Sequence, residues 1–359
     1  MPAMTRRSLL AAVPFLAPDV HEEIRKLAGA APLRMVFRGG TRAECRRWQQ
    51  EFEGKLKSLL GPHEPPREWR TTVERVVEAE GHRREELILE AAGHPALPVY
   101  RLTPRPEASG RRPGVVALHG HGEFGHDPVA GIATTEERAR AIAQANYDYG
   151  LQLVRRGYVV AAPCLAPFGR RLDDRKAYGG QDPCAVTFVR MQLLGKLLMA
   201  ENLRDVLWSV ELLARTGGVD PERLGCVGLS YGGRMTMLAA ALEPRIRVAV
   251  VSGALNVMQE RIQGRYSCGA QVIPGLLEYG DVPEIASLIA PRPCLWEAGL
   301  KDPLMVAGWL EAALERIRQA YRAYGAEERL ELERFDGGHR WNGIRAYTLL
   351  EEILRPAGG

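Results

Sequence analysis

The chain reads as α/β: a mainly parallel central sheet with helices on both faces, plus a small N-terminal helical segment. Three observations carry this reading. Short, continuously apolar runs such as Gly114-Val115-Val116-Ala117-Leu118 and Tyr158-Val159-Val160-Ala161-Ala162 have the look of parallel strands covered on both sides. Such runs alternate with helical stretches from residue 114 onward, the pattern of a wound sheet. A Gly-x-Ser-x-Gly pentapeptide, Gly228-Leu229-Ser230-Tyr231-Gly232, sits between an apolar run and an alanine-rich helix.

Taken in order, residues 1–18 contain Thr5-Arg6-Arg7-Ser8-Leu9-Leu10 followed by the apolar Ala11 to Ala17. This resembles a twin-arginine export signal, although the apolar stretch is short and contains Pro14. The alternatives are an exported protein or a disordered tail on a cytoplasmic one. Residues 19–66 form a charged helical segment. Within it Ala43 to Leu60 places Trp48, Phe52, Leu56, Leu59 and Leu60 at helical spacing, and Gly61-Pro62 ends it. Residues 67–359 form the principal domain. It opens with three β stretches, Thr72 to Ala79, Glu86 to Ala91 and Leu97 to Leu102.

The alternation then runs through strands at 114–118 and 158–162, one long helix over 189–215, whole or broken, and a strand at 224–229. Further strands fall at 246–252, 294–298 and 330–335, with helices near 235–242, 306–324 and 342–354. Three stretches break the pattern: 124–147, 165–188 and an insertion at 254–291. All follow strand ends, where ligands bind in such folds, and are expected to shape a substrate pocket.

Composition narrows the function. The net charge of +4 over 359 residues comes from scattered arginines without a basic tract. A nucleic-acid partner is therefore not expected. No apolar run has the length of a membrane span. The six cysteines form no Cys-x-x-Cys pair, and Cys226 and Cys294 fall in buried strands, so free thiols are expected.

The chemistry is read from strand ends. A serine on a strand-turn-helix apex is aimed out of the sheet as a nucleophile, and the flanking glycines make the turn feasible. A serine hydroxyl needs a base, and the base needs an orienting carboxylate. His339 follows the last strand in Asp336-Gly337-Gly338-His339-Arg340-Trp341. Asp302 follows the 294–298 strand in Lys301-Asp302-Pro303. Asp336 and Glu297 are the rival carboxylates. The oxyanion donors are expected to be the backbone N–H groups of Tyr231, after the nucleophile, and His121, in His119-Gly120-His121-Gly122 after the 114–118 strand. His119 is expected to support that loop. Tyr231 and Trp341 are expected to wall a small acyl pocket.

One rival uses the same loop. His119, His121 and His126, with Glu123 and Asp127, are dense enough to suggest a metallohydrolase. Their spacing does not match a metallo-β-lactamase loop, and neither metal nor cofactor is expected.

With these residues in place, the chain resembles the α/β-hydrolase superfamily over roughly residues 70–355. Within it, the chain is most similar to the dienelactone-hydrolase and acetyl xylan esterase-like bacterial esterases. The further stretches carrying this are Ala290-Pro291-Arg292-Pro293 and Tyr266-Ser267-Cys268-Gly269, followed by Pro274-Gly275-Leu276. Dienelactone hydrolases carry a nucleophilic cysteine where this chain has Ser230. The resemblance implies a serine carboxylic ester hydrolase working through an acyl-enzyme on short esters, such as acetyl groups on carbohydrate. A peptidase of the same fold is the runner-up, though such enzymes usually carry a large additional domain.

Overall fold

The computed structural model describes residues 19–106, 110–265 and 267–355. The twin-arginine pair Arg6-Arg7 and Tyr266 of the esterase-like stretch lie outside the described residues. Nine strands form one sheet: β1 (Arg70–Ala79), β2 (His82–Glu90), β3 (Leu97–Pro104), β4 (Arg112–Leu118), β5 (Val159–Pro163), β6 (Val219–Leu229), β7 (Ile246–Ser252), β8 (Cys294–Gly299) and β9 (Leu330–Phe335). Their order is β1-β2-β3-β5-β4-β6-β7-β8-β9. β1, β2, β3 and β5 pair antiparallel, and the pairs from β5–β4 to β8–β9 are parallel.

The period of two explains the layers. Val116 and Leu118 of β4 belong to one core with Cys226, Ala249, Val251 and Trp296. Val115 and Ala117 face the opposite core with Val227, Leu229, Val248, Val250 and Leu295. The first core is covered by helices Leu198–Arg215, Tyr231–Leu242 and Ala307–Tyr324, and the second by Tyr149–Arg155 and Ile344–Leu354. β1 lies at the sheet edge and is exposed along nearly its whole length. Its charged Glu74, Arg75 and Glu78 deter edge-to-edge pairing.

The long helix expected over 189–215 is two helices, Pro183–Leu193 and Leu198–Arg215, bent by 100° from one another. The physical reason lies at the break, where Gly195 adopts φ +66°. No single helix among the described residues is long and apolar enough to cross a membrane. The stretch expected as loop over 124–147 carries a helix, Glu136–Ala145, capped by the Thr135 hydroxyl.

Residues 19–66 lie against the first core. The helix Arg42–Leu60 starts with a capping box from Thr41 and Glu44. It buries Trp48, Phe52 and Leu56, and Gln49 donates to the carbonyls of Ser287 and Ala290. The N–H groups of Leu33, Arg34 and Met35 donate in turn to the carbonyls of Leu277, Glu278 and Tyr279. The N-terminal segment is thus clasped to the 254–291 stretch by backbone bonds.

Phe52 is fully buried, stacks on Trp48 at 5.5 Å, and packs where a Cβ on Gly280 would lie 2.9 Å from its ring. Phe52→Ala is expected to cost about 3–5 kcal/mol. In urea unfolding followed by both circular dichroism and tryptophan fluorescence, the midpoint should fall in one coincident transition. A separate early transition would show that the segment is not part of the cooperative core.

Candidate active site

Ser230 caps β6 and begins the helix Tyr231–Leu242 with φ +61° and ψ −119°, one of three non-glycine residues at positive φ among those described. A β-carbon pays strain in that region, so surrounding contacts must impose it. They do. The Ser230 N–H donates to the Ser252 carbonyl at the end of β7 (2.8 Å), and the Ser230 carbonyl accepts from Arg234 N–H (2.9 Å). A Cβ on Gly228 would lie 2.4 Å from the Gly232 carbonyl carbon, and one on Gly232 would lie 1.9 Å from the Leu118 carbonyl oxygen. The pentapeptide glycines are therefore demanded by backbone crowding between β4 and the elbow.

His339 stands beside the same elbow. A Cβ on Gly253, the residue after Ser252, would lie 2.9 Å from His339 Cε1 and 3.4 Å from Leu229 Cδ1. His339 Nδ1 is 2.7 Å from Asp302 Oδ2. The Asp302 carboxylate is almost completely buried, and its other oxygen accepts from Leu304 N–H at 2.8 Å. With Nδ1 held by the carboxylate, Nε2 is the ring nitrogen left to exchange a proton. Both residues reach this place from the ends of neighbouring parallel strands, β8 and β9. Asp336, the rival nearest in sequence, is largely exposed and pairs with Lys301 at 2.6 Å.

Glu297, the rival inside β8, has another part. Its carboxylate is buried and accepts from Gly343 N–H (2.8 Å) and Asn342 N–H (3.2 Å), with a further bond from the Ser252 hydroxyl. It fastens the chain just after His339 to the sheet. Burial pushes its acid constant up to about 7 against these hydrogen bonds. The loop is braced from the far side too: Trp341 N–H donates to the Ala145 carbonyl (3.0 Å), and the Asn146 side chain to the Trp341 carbonyl (3.1 Å).

The loop after β4 presses on the elbow, because a Cβ on Gly120 would lie 2.9 Å from the Leu229 carbonyl oxygen and 3.0 Å from Ser230 Cβ. Gly120 N–H donates to the Tyr147 hydroxyl (2.6 Å). Among the described residues, the N–H groups of His121 and Tyr231 have no acceptor in the protein, as an oxyanion hole requires. His119 supports the loop: Nδ1 donates to the Gly120 carbonyl and Nε2 accepts from Leu165 N–H. Burial holds it at about 4, so it stays neutral. His126 is buried and stacked on Tyr100. Glu123 pairs with Arg175, and Asp127 with Arg138. His119, His121 and His126 do not form a ligand set. Among the described residues, His121 converges instead with Cys184 and Cys268.

Two connected lobes of about 350 Å³ each meet at His121 and Asp182. One contains Ser230 and is walled by Asn256, Arg261, Arg265, Cys268 and Gln271 from the 254–291 stretch. The other is walled by Phe168, Leu172, Tyr178 and Cys184 from the 165–188 stretch. Residues 124–147 line neither lobe and serve as the brace described above. Tyr231 and Trp341 are also not pocket walls. Tyr231 is buried with its hydroxyl accepting from Asn202 (2.7 Å), and Trp341 is buried with its ring N–H on the Tyr347 hydroxyl (3.0 Å). Each belongs to the core that supports the elbow or the histidine loop.

Part of the chain, residues 193–260, matches the prolyl oligopeptidase family model. This covers the helix before β6, the elbow and β7. A protein of Bacillus subtilis (strain 168) named as a hydrolase, YtaP, is 28% identical over 300 residues, covering 80% of this chain and 93% of that protein. A solved structure from Bacteroides fragilis NCTC 9343, described as an acetyl xylan esterase, superposes with a TM-score of 0.73 over 89% of this chain and 83% of the other, at 17% identity. The chain has the α/β-hydrolase fold. A glucuronoyl esterase from Solibacter usitatus shares the α/β-hydrolase fold at a TM-score of 0.63, covering 89% of this chain and 96% of the other at 12% identity.

Several residues that support the candidate site carry little or no signal in the sequence. Glu297 sits in a continuously apolar strand, and that anomaly is its signal. Arg234 is buried in the elbow helix and donates to the Asn256 carbonyl (2.9 Å) and the Gln271 side chain (3.3 Å), tying the elbow to the cleft wall. Asn202 and Tyr147 gave no signal, since their partners are distant in sequence.

Glu297 generates a pH prediction. Its folded-state constant lies above the ordinary carboxyl value of 4.5. The folded protein therefore holds the proton more tightly than the unfolded chain, and stability falls as pH rises between about 4.5 and 7. Glu297→Gln removes this titration. Between pH 5 and pH 8 the stability of wild type relative to the variant should drop by roughly 2–3 kcal/mol, measured by urea unfolding. Parallel pH profiles for the two proteins would refute the assignment.

Proposed function

We propose that this α/β-hydrolase cleaves short-chain carboxylic esters through an acyl-Ser230 intermediate, with acetylated carbohydrate as the substrate class. The observation that carries the reading is the Asp302–His339 pair standing beside a serine held at positive φ. Ser230 Oγ attacks the ester carbonyl carbon while His339 Nε2 takes its proton. Asp302 holds the ring in the required tautomer and stabilises the imidazolium. The N–H groups of His121 and Tyr231 receive the negative charge that develops on the carbonyl oxygen. His339 then delivers the proton to the departing alkoxide, and the alcohol leaves. Water, activated by the same histidine, attacks the acyl-enzyme and regenerates Ser230.

The cleft supports the carbohydrate part of the reading. Asp182, Asn256, Arg261, Arg265 and Gln271 present polar groups suited to sugar hydroxyls in the lining of the Ser230 lobe. The partial match to the prolyl oligopeptidase family favours a peptidase as second reading. Against it, the matched stretch is the elbow region that esterases of this fold also require. Residues 19–66 lie against helices and the 254–291 stretch without lining either lobe.

Substitutions test the roles. Ser230→Ala and His339→Ala should each lower kcat on p-nitrophenyl acetate at least about a thousandfold, because the residues act as a unit. Asp302→Asn should be damaging but less so, and Asp336→Asn should leave kcat within about twofold, given its exposure. A dead Asp336→Asn with an active Asp302→Asn would transfer the carboxylate role.

Substrate profiling tests the rest. Turnover of p-nitrophenyl esters should fall steeply beyond about four acyl carbons, acetylated sugars should be deacetylated, and prolyl peptide amides should not be cleaved. Extended dialysis against EDTA should leave kcat unchanged. Faster hydrolysis of octanoate than acetate, or a dead chelated enzyme restored by zinc, would overturn this reading.

A further inference from the structure

The meeting of His121, Cys184 and Cys268 is not used by the hydrolytic chemistry. One donor atom from each lies within 4.8 Å of the others. The three come from distant parts of the chain: the loop after β4, the start of the helix Pro183–Leu193, and the 254–291 stretch. Their approach is built in. A Cβ on Gly269 would lie 2.5 Å from Phe188 Cβ, so only glycine lets the chain after Cys268 close on the helix that carries Cys184. The His121 ring is steadied by Phe168 at 5.4 Å and Tyr231 at 5.3 Å.

The donor set has a distinct chemistry. Both cysteines are buried and His121 is exposed. Cys184 lies in the first turn of an eleven-residue helix, Pro183–Leu193. The Cys268 sulfur accepts from Ala270 N–H at 3.4 Å. Two sulfurs and one imidazole suit borderline-soft cations and not magnesium or calcium. In a tetrahedral zinc site, donors about 2.1–2.3 Å from the ion lie roughly 3.5–3.8 Å apart. The observed spread needs only a small contraction.

We propose that His121, Cys184 and Cys268 form a binding site for a zinc-class divalent cation at the wall shared by the two lobes, with its fourth position open to the cleft. Binding displaces the thiol protons to solvent and forms two metal–sulfur bonds and one metal–nitrogen bond. The site is inhibitory: it fixes His121 and fills the cleft next to Ser230. That second statement rests on the proposed ester hydrolysis, whereas binding itself does not.

Cobalt(II) titration of reduced, metal-free full-length protein tests the site without turnover. One equivalent should saturate a thiolate-to-cobalt charge-transfer band, zinc should abolish the band by competition, the Cys184→Ser/Cys268→Ser double variant should lack it, and His121→Ala should weaken binding at least tenfold. Zinc at one equivalent should lower ester turnover at least tenfold in wild type, and the double variant's turnover, whatever its level, should not respond. No band in wild type, or an unchanged band in a double variant with a wild-type circular dichroism spectrum, overturns the site. So does mass spectrometry finding Cys184 and Cys268 joined as a disulfide that resists mild reduction. A normal band with no loss of turnover removes the inhibitory role and retains the site. If no ester is hydrolysed at all, the hydrolytic reading fails while the cobalt result still stands.

Discussion

The crowding of backbone against backbone at Gly232 and Leu118 is the constraint on which the site depends. With no room for a side chain between the elbow and the end of β4, the start of the helix Tyr231–Leu242 is pinned to the sheet. Ser230 is then forced to positive φ, and it lines the cleft. The same contact sets the distance from the elbow to the loop of Gly120 and His121. One steric fact therefore positions both the proposed nucleophile and the expected oxyanion donors. The local strain persists because two cores, one on each face of the sheet, over-determine the ends of β4, β6 and β7.

Around this centre, polar groups in the interior are used as fasteners. Glu297 holds the turn after His339, Arg234 holds the cleft wall to the elbow helix, and Asn202 meets both the Tyr231 hydroxyl and the backbone of Ala166. Each is buried and each joins segments far apart in sequence. Such groups are costly unless satisfied, so they specify loop positions that apolar packing alone would leave loose.

What was legible in the sequence followed from local rules. The parallel strands betrayed themselves as short apolar runs, the elbow as a glycine-framed serine, and Asp302 and His339 as polar residues just past strand ends. Asp336 differs from Asp302 in its exposure and its partner Lys301, and Glu297 in its hydrogen bonds to the turn after His339, features that no local sequence rule displays. Tyr231 and Trp341 were misread as pocket walls. Proximity in sequence to a reacting residue does not say which way a side chain points, and here both point into the cores. The rival grouping of His119, His121 and His126 fails for a similar reason. His119 and His126 turn inward, while His121 meets two cysteines that arrive from 63 and 147 positions away along the chain.

The backbone clasp between residues 33–35 and 277–279 has a bearing on how the proposed esterase would change its specificity. The stretch that supplies Asn256, Arg261, Arg265 and Gln271 to the cleft is anchored at its far end to the N-terminal segment, outside the sheet. Recognition and reaction are thus mounted on separate supports. Drift in the outer pair of segments can reshape what the cleft admits while the strand ends that carry Ser230, Asp302 and His339 keep their spacing. The two segments must change together, since three main-chain bonds join them, and so they form a single heritable unit of selectivity split across the chain.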